Sequence, residues 1–549
     1  MRKTGFTVLY MLGLSGAMCL TTMASSDNAS AQLDLRIRDY LTMPDPGKRD
    51  YKSQNNSIYA RINFLREEPG ADRNRLFVSD LDGPLYILDK RTKKLTTYLD
   101  FNGGRGRKGI FPHLQYDSGY ASGLITFQFD PDYRRNGRFY TIHLENPSLP
   151  GSSLPDNKNF LGFDTKGYAV TQPVRTPGKT MAEAVLVEWT DTNTADTLFT
   201  GTARELLRIP YNIYIHPLGD LIFNPTAKPG DPDWRVLYIS GGDGGSGEMT
   251  DLSVRYNPQR LDVLVGKILR IIPDLTIHQD TSDVSENGRY RVPRDNPFVT
   301  LPGARPEIWV YGLRNAHRMS WDVNPSDPSK NYLLADVIGL ETWETVVIIH
   351  KGANYGYPER EGNQRLMVVT ENGTKKNQIA ALPEDDRIPL RVGDATANEL
   401  VKPTYPVIQY GHVPDGGDAI ASGFVYRGKI AAIRGKYIFG DITTGHLWWA
   451  DLQEMVAADD GDPKTMAAIH PLHILWRNGQ AKEDVYPSLA PIVSARYHER
   501  GGEAEYLPGL EVNVAKHRAD IRLAVDGKGE LYILSKSDGM IRKVIGAVP

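Results

Sequence analysis

Cysteine is almost missing from this chain: Cys19 is the single one in 549 residues. A disulfide framework is thereby excluded, and stability has to come from a large packed core. Net charge is nearly as scarce, since 64 Lys and Arg face 67 Asp and Glu. That balance offers no general electrostatic attraction to nucleic acid. Beyond the N-terminus no apolar run approaches the roughly 20 residues that a bilayer-spanning helix needs, which excludes a polytopic helical membrane protein. Amphipathic helix patterns are few, and Met181–Glu188 and Gln453–Ala458 are the better short candidates. Gly and Pro are plentiful, with 52 and 36 residues, and Tyr leads the aromatics. This is a composition of turns and strands.

The first residues read as an address. Arg2 and Lys3 precede an apolar stretch from Phe6 to about Leu20, and the small residues Ala29, Ser30 and Ala31 follow. A basic start, a short apolar core and an A-x-A end predict a secretory signal peptide over residues 1–31, and hence a periplasmic or secreted protein. Cleavage after Ala31 removes the only cysteine.

Along the rest of the chain one pattern recurs: a short strand, a turn with Asp, Asn, Pro or Gly, and a second strand rich in aromatic or β-branched residues. Examples are RLFVSDLDGPLYIL from Arg75, LITFQFDPDYRRNGRFYTIH from Leu124, LIFNPTAKPGDPDWRVLYIS from Leu221 and MSWDVNPSDPSKNYLLA from Met319. GFVYRG, GKYIFGD and GHLWWAD follow between Gly423 and Asp451, and IRLAVDGKGELYILSKSDGMIRKV closes the chain from Ile521. Alternating apolar residues around a tight turn predict hairpins with a buried face. Six such units predict radial repetition of small sheets: an all-β fold, a six-bladed β-propeller formed by residues 32–549 as one domain. The chain is much longer than six blades of about 40–50 residues require. Long insertions are therefore expected between strands, near 146–172, 275–296, 368–401 and 455–510.

Unusual polar residues collect in the middle third. His216 interrupts an apolar strand in YNIYIHPLGDLIF, and Arg314 and Asn315 stand where a strand run breaks in EIWVYGLRNAHRMSWD. Between them lies the loop GGDGGSGE, Gly241–Glu248. It lacks the Lys-Ser/Thr of a P-loop. Its Asp243 and Glu248, with Asp251, offer carboxylates to calcium, although not at EF-hand spacing. No H-E-x-x-H, Cys/His cluster or G-x-S-x-G string is present, so zinc and nucleophile-elbow chemistry find no support.

Taken together and in order, IHPLGDLIF, LVGKILRI, VYGLRNAHRMSWD, HKGANYGYP and GFVYRG followed by GKYIFGD resemble the glucose/sorbosone dehydrogenase family, soluble six-bladed propellers that use pyrroloquinoline quinone with calcium. The resemblance covers most of Arg75 to Asp451. It implies that His216 is the general base, that Arg314 and Asn315 contact the quinone, and that Gly339 and Leu340 offer backbone carbonyls to calcium. His446 stands where family enzymes usually place Arg or Lys toward the quinone, and Ile215 where glucose-oxidising members often have an acidic residue. The implied activity is oxidation of a hydroxyl of an aldose or related sugar, with electrons leaving to an unidentified acceptor. A non-catalytic propeller that binds carbohydrate or protein, and a calcium-dependent lactonase, stand as alternatives.

Overall fold

The computed structural model describes residues 32–45, 58–70, 74–117, 121–324, 326–393, 395–412, 416–479, 481–502 and 518–549. The signal-peptide reading of residues 1–31 lies outside them. The described chain is all-β, and its longest helix is Ala490–Glu499.

The expected hairpins are the building blocks. Ile62–Glu67, Arg75–Asp80, Pro84–Asp89 and Leu95–Asp100 form the first antiparallel sheet. The second consists of Leu124–Phe129, Arg138–Glu145, Ala182–Asp191 and Gly201–Tyr211. The third joins Leu218–Phe223, Leu237–Gly241, Lys267–Ile271 and Ile308–Tyr311. Asn315–Asp322, Tyr332–Ile338, Trp343–Ile348 and Ile408–Gly411 make the fourth. Ile420–Val425, Lys436–Asp441, Leu447–Asp451 and His470–Trp476 make the fifth. In the sixth, Ile521–Val525, Leu531–Ser535 and Met540–Val548 accept Leu33–Thr42, from the other end of the chain, as their outer strand. Leu33–Arg36 also runs parallel to Leu472–Leu475, which fuses the fifth and sixth sheets into one.

The first strands of the six sheets lie next to one another in cyclic order, the sixth returning to the first. The result is a propeller-like ring around a central axis. In five of the sheets the first strand carries a register shift within its first residues, at Ile62/Phe64, Leu124/Thr126, Leu218/Asp220, Ala316/Arg318 and Ile420/Ser422. Bulges of this kind bend a strand and re-aim a side chain at the rim of a sheet. Here they sit where each chain enters the ring, and His317 is the extra residue in the fourth.

Cores fill the spaces between neighbouring sheets. Phe77, Tyr98, Phe139, Trp189 and Phe199 pack between the first and second, with mostly edge-to-face or stacked rings. Trp448 and Trp449 point to opposite faces of their strand, and both are buried: Trp448 lies against Tyr410 and Phe439, Trp449 against His470. Two sequence expectations change. Met181–Glu188 is not a helix; it falls in the strand Ala182–Asp191, buried on both faces between two partners. A strand covered on both sides loses the alternation that would mark it, and its continuous apolar run reads equally as a helix. The stretch 455–510 is also more than a loop, since it supplies the outer strand His470–Trp476 and the helix Ala490–Glu499.

Closure of the ring depends on buried charge. The Arg542 side chain is fully buried, donates from Nε to Asp39 at 3.2 Å, and pairs through Nη2 with the buried Asp538. Asp39 belongs to the first strand of the chain and Arg542 to the last. Replacing Arg542 with Ala strands Asp538 without a counter-ion, and a broken buried pair typically costs about 3–5 kcal/mol. Urea unfolding of Arg542→Ala is expected to show a loss of that order, with Asp39→Ala losing less because Asp39 is partly solvated.

Candidate functional site

Each chain segment entering a first strand arrives at the same end of the ring. His216 precedes Leu218–Phe223, Arg314 precedes Asn315–Asp322, and Arg518 and Asp520 precede Ile521–Val525. Residues far apart in sequence are therefore presented around one axis.

His216 has φ +49°, a left-handed backbone that a bulky residue adopts only when its surroundings enforce it. The Gly244 N–H donates to its carbonyl at 3.1 Å. A side chain at Gly242 would put Cβ 2.4 Å from that same oxygen. Nδ1 of His216 lies 2.9 Å from Oδ1 of Asp243. Asp243 is inaccessible to solvent and also accepts the N–H groups of Gly245 and Gly247, each at 2.9 Å. Burial by itself would raise its carboxyl. The His216 hydrogen bond and charge, with Arg314 nearby and the Gly245 amide, hold it below the ordinary carboxylate range instead. A carboxylate on Nδ1 fixes the imidazole with its proton on that nitrogen, and Nε2 keeps a lone pair for a substrate proton.

Arg314 pairs through Nη2 with Glu248, donates from Nη1 to the Ile338 carbonyl at 3.2 Å, and keeps a buried Nε with no partner among the described residues. Burial opposes its charge, but Glu248, Tyr357 and Asp243 together raise it. The Tyr357 ring rests on Gly247, where a Cβ would come within 2.2 Å of it. Its buried hydroxyl has no partner either. The strings singled out in the sequence thus interlock. Tyr357 N–H donates to the Gly312 carbonyl at 2.9 Å, and the amides of Asn354 and Gln259 bond each other reciprocally at 2.9 Å. Asp243, Glu248 and Asp251 are not brought together as a metal set. Asp243 orients His216, Glu248 holds Arg314, and Asp251 caps the helix Leu252–Arg255 through the Ser253 amide.

Asn315, the first residue of its strand, is buried beside Arg314 and lies opposite Ile338. In the loop that follows Ile338, the N–H groups of Leu340, Glu341, Thr342 and Trp343 converge on the carboxylate of Glu361, and that of Gly339 donates to Glu344 at 3.1 Å. In a trans peptide the N–H and the preceding carbonyl point in opposite directions. The carbonyls of Gly339 and Leu340 are therefore turned away from Glu361. Among the described residues no group of three or more His, Cys, Asp or Glu is placed to hold a metal ion.

His446 sits in the turn between Lys436–Asp441 and Leu447–Asp451, with Nδ1 3.3 Å from the Gly416 carbonyl and its ring edge-on to Trp448. Arg518 reaches the same turn and donates to Thr443 Oγ1 at 3.1 Å. A guanidinium from the segment that leads into the sixth sheet thus reaches the turn that carries His446. Further along the axis, Arg518, Arg522 and Lys536 surround the one carboxylate of Asp520, at 3.4, 3.1 and 3.8 Å. Burial would raise that carboxyl, but the three cations hold it far below its usual range, and Lys536 is pushed down by burial and by Arg522. Among the described residues, Nε of Arg522, Nζ of Lys536 and Nε2 of His317 have no hydrogen-bond partner. His317 is kept neutral by burial and by Arg318, Arg522 and Lys536. The arrangement is a donor-rich, cation-rich axis beside a histidine base. Sequence reasoning did not single out Arg518, Arg522 or Lys536, and Tyr357 figured only as part of HKGANYGYP, because each acquires its meaning only from the ring.

Asp243 titrates below its unfolded value of 3.8. Its contribution to stability is fully present above that value and is lost as the pH falls through its lower folded value. The stability gap between wild type and Asp243→Asn is therefore expected to be constant from neutrality to about pH 5 and to shrink below pH 4, as read by urea unfolding across that range.

Residues 229–383 match the family model described as Glucose / Sorbosone dehydrogenase. The HIPL1 protein of Arabidopsis thaliana is 26% identical over 432 residues, 75% of this chain and 55% of that protein. The human Hedgehog-interacting protein is 25% identical over 318 residues, 56% of this chain and 38% of that protein. The chain spans about half the length of the first curated relatives it matches. A solved structure of the soluble aldose sugar dehydrogenase of Escherichia coli in its apo-form superposes with a TM-score of 0.51 at 17% identity, covering 94% of this chain and all of that one. The matched segment contains the GGDGGSGE loop, Arg314 and Tyr357, and is similar to the glucose/sorbosone dehydrogenase family, while the solved structure shares the fold.

Proposed function

We propose that this chain is a periplasmic or secreted six-bladed propeller enzyme that oxidises a hydroxyl of an aldose or related sugar by hydride transfer to pyrroloquinoline quinone. Six blades are supported by the cyclic order of the six first strands. Location is supported by the leader-like start and by the described residues containing no helix long and apolar enough to cross a membrane. The observation that carries the reading is the His216–Asp243 pair, set beside buried donors that lack acceptors.

Those donors fit the quinone. It brings three carboxylates, and this end of the ring has an excess of buried cations together with orphaned nitrogens on Arg314, Arg522 and Lys536. Arg314, Asn315, His446, Arg522 and Lys536 are the residues that would hold it, with Arg supplying planar, bidentate contacts. The carbonyls of Gly339 and Leu340 are oxygen donors of the kind calcium prefers. When bound, the quinone supplies the hydride acceptor. The protein's part is proton handling and position. Nε2 of His216 takes the sugar hydroxyl proton, and Asp243 compensates the charge that then appears on the imidazole. Glu248 keeps Arg314 extended toward the axis, and Tyr357 walls the site over Gly247.

The alignment with the Hedgehog-interacting protein favours a second reading, a non-catalytic propeller that binds a carbohydrate or a protein through the same end of the ring. Titration of purified protein with pyrroloquinoline quinone, with and without calcium, separates the two when read by absorbance and by dye reduction over a panel of sugars. The enzyme reading expects saturable, calcium-dependent binding with turnover. It also expects His216→Ala to lose at least about 100-fold in turnover while still binding quinone, and Arg314→Ala to bind quinone more weakly. A fully active His216→Ala removes the base role, and absence of any quinone spectrum favours the binding reading.

A further inference from the structure

A buried arginine that the proposed chemistry does not use holds the turn that carries Glu248. Arg255 ends the short helix Leu252–Arg255 and is only 2% exposed. Its Nη1 donates to the carbonyls of Gly247 at 2.9 Å and Met249 at 3.1 Å, the residues on either side of Glu248, and to Oδ1 of Asn377 at 2.9 Å. Its Nη2 lies 3.5 Å from the carbonyl of Pro358, the residue after Tyr357. These partners are three carbonyls and a neutral amide. Burial lowers Arg255 below the ordinary arginine value, against the opposing influence of Tyr357, Tyr256, Asp243 and Glu341. A buried cation without an ion pair is costly, but a planar fork reaches several acceptors at once where an ammonium does not.

That fork secures the place of one carboxylate. Gly247 is fixed through both of its peptide groups, because its N–H goes to Asp243 and its carbonyl to Arg255. Glu248 follows directly, and the carbonyl of Met249 beyond it is held by the same Arg255 nitrogen. The carboxylate so placed pairs with Nη2 of Arg314 and lies 3.7 Å from Nδ1 of His216. Arg314 and His216 therefore share a neighbour whose backbone is clamped on either side, and a shift of the clamp reaches Arg314 through Glu248.

We propose that Arg255 is a positioning residue: by holding the carbonyls of Gly247 and Met249 it fixes Glu248 against Arg314, and so sets the Arg314 guanidinium for the quinone carboxylates. This rests on the reading of this end of the ring as a quinone site, and adds to it a residue that acts on the quinone only through Glu248.

The test is a double-mutant cycle on quinone affinity. Intact protein is titrated with pyrroloquinoline quinone, with calcium and without sugar, and read by absorbance, so that turnover does not enter. Arg255→Lys, checked for an unchanged melting profile, is expected to weaken quinone binding about ten-fold. In a Glu248→Ala background the same change is expected to alter binding by less than about two-fold, because its route is already cut. Asp39→Ala, at the ring closure, is expected to bind quinone as the wild type does. Should Arg255→Lys fail to fold, Arg255→Gln takes its place with the same expectation. Should Glu248→Ala bind no quinone, the contrast between Arg255→Lys and Asp39→Ala carries the test. Undiminished binding by Arg255→Lys, an equal loss in the Glu248→Ala background, or an equal loss in Asp39→Ala each overturns the proposal while the quinone reading stands. Absence of quinone binding by the wild type removes that reading and this inference together.

Discussion

Buried carboxylates that bind the chain where it enters a first strand are the ties on which the upper end of this ring depends. In the first sheet Asp80, the last residue of the second strand, accepts the Arg61 amide at 3.1 Å, and in the fifth Asp441, likewise the last, accepts the amides of Asp418 and Ala419, both at 2.8 Å. In the third sheet that position is Gly241, and Asp243, two residues further on, receives the side chain of His216 instead. A carboxylate near the end of the second strand thus fixes a strand entry elsewhere and a histidine tautomer here. A carboxylate in this position is costly to bury, and each one is surrounded by donors that make the burial tolerable.

Around those ties the ring separates its charges by depth. Near the entries, Arg314 is neutralised by Glu248, whereas Arg518, Arg522 and Lys536 converge on Asp520. At the far end Asp220 pairs with Arg66, and Arg318 bonds the carbonyls of His317 and Asn63. The upper end gathers His216 and several cations, and the lower end has mostly apolar walls.

Much of this was legible in the chain. Hairpins such as Arg75–Asp89 and Lys436–Asp451 declare themselves through alternation around a turn, because one face of each strand has to be apolar and the residue between strands has to permit a reversal. His216, Arg314 and Asn315 were legible as polar interruptions of apolar runs. Ala182–Asp191 was not, since a strand buried on both faces carries no period to read. Asp243 was visible only as a carboxylate in a glycine-rich loop. Its partner lies 27 residues away, and nothing local announces that the two meet.

The sequence by itself determined the nature of the ring's hairpins, the absence of disulfide support, and the polar residues at strand entries, because each of these is a local matter of period, turn chemistry and composition. The tertiary structure alone decided that Leu33–Thr42 completes the last sheet, that Arg518 reaches the turn that carries His446, and that His216 meets Asp243. Those are consequences of ring closure. Cyclic packing of six first strands brings residues hundreds of positions apart to one axis, and no local pattern in a chain encodes a meeting at that range.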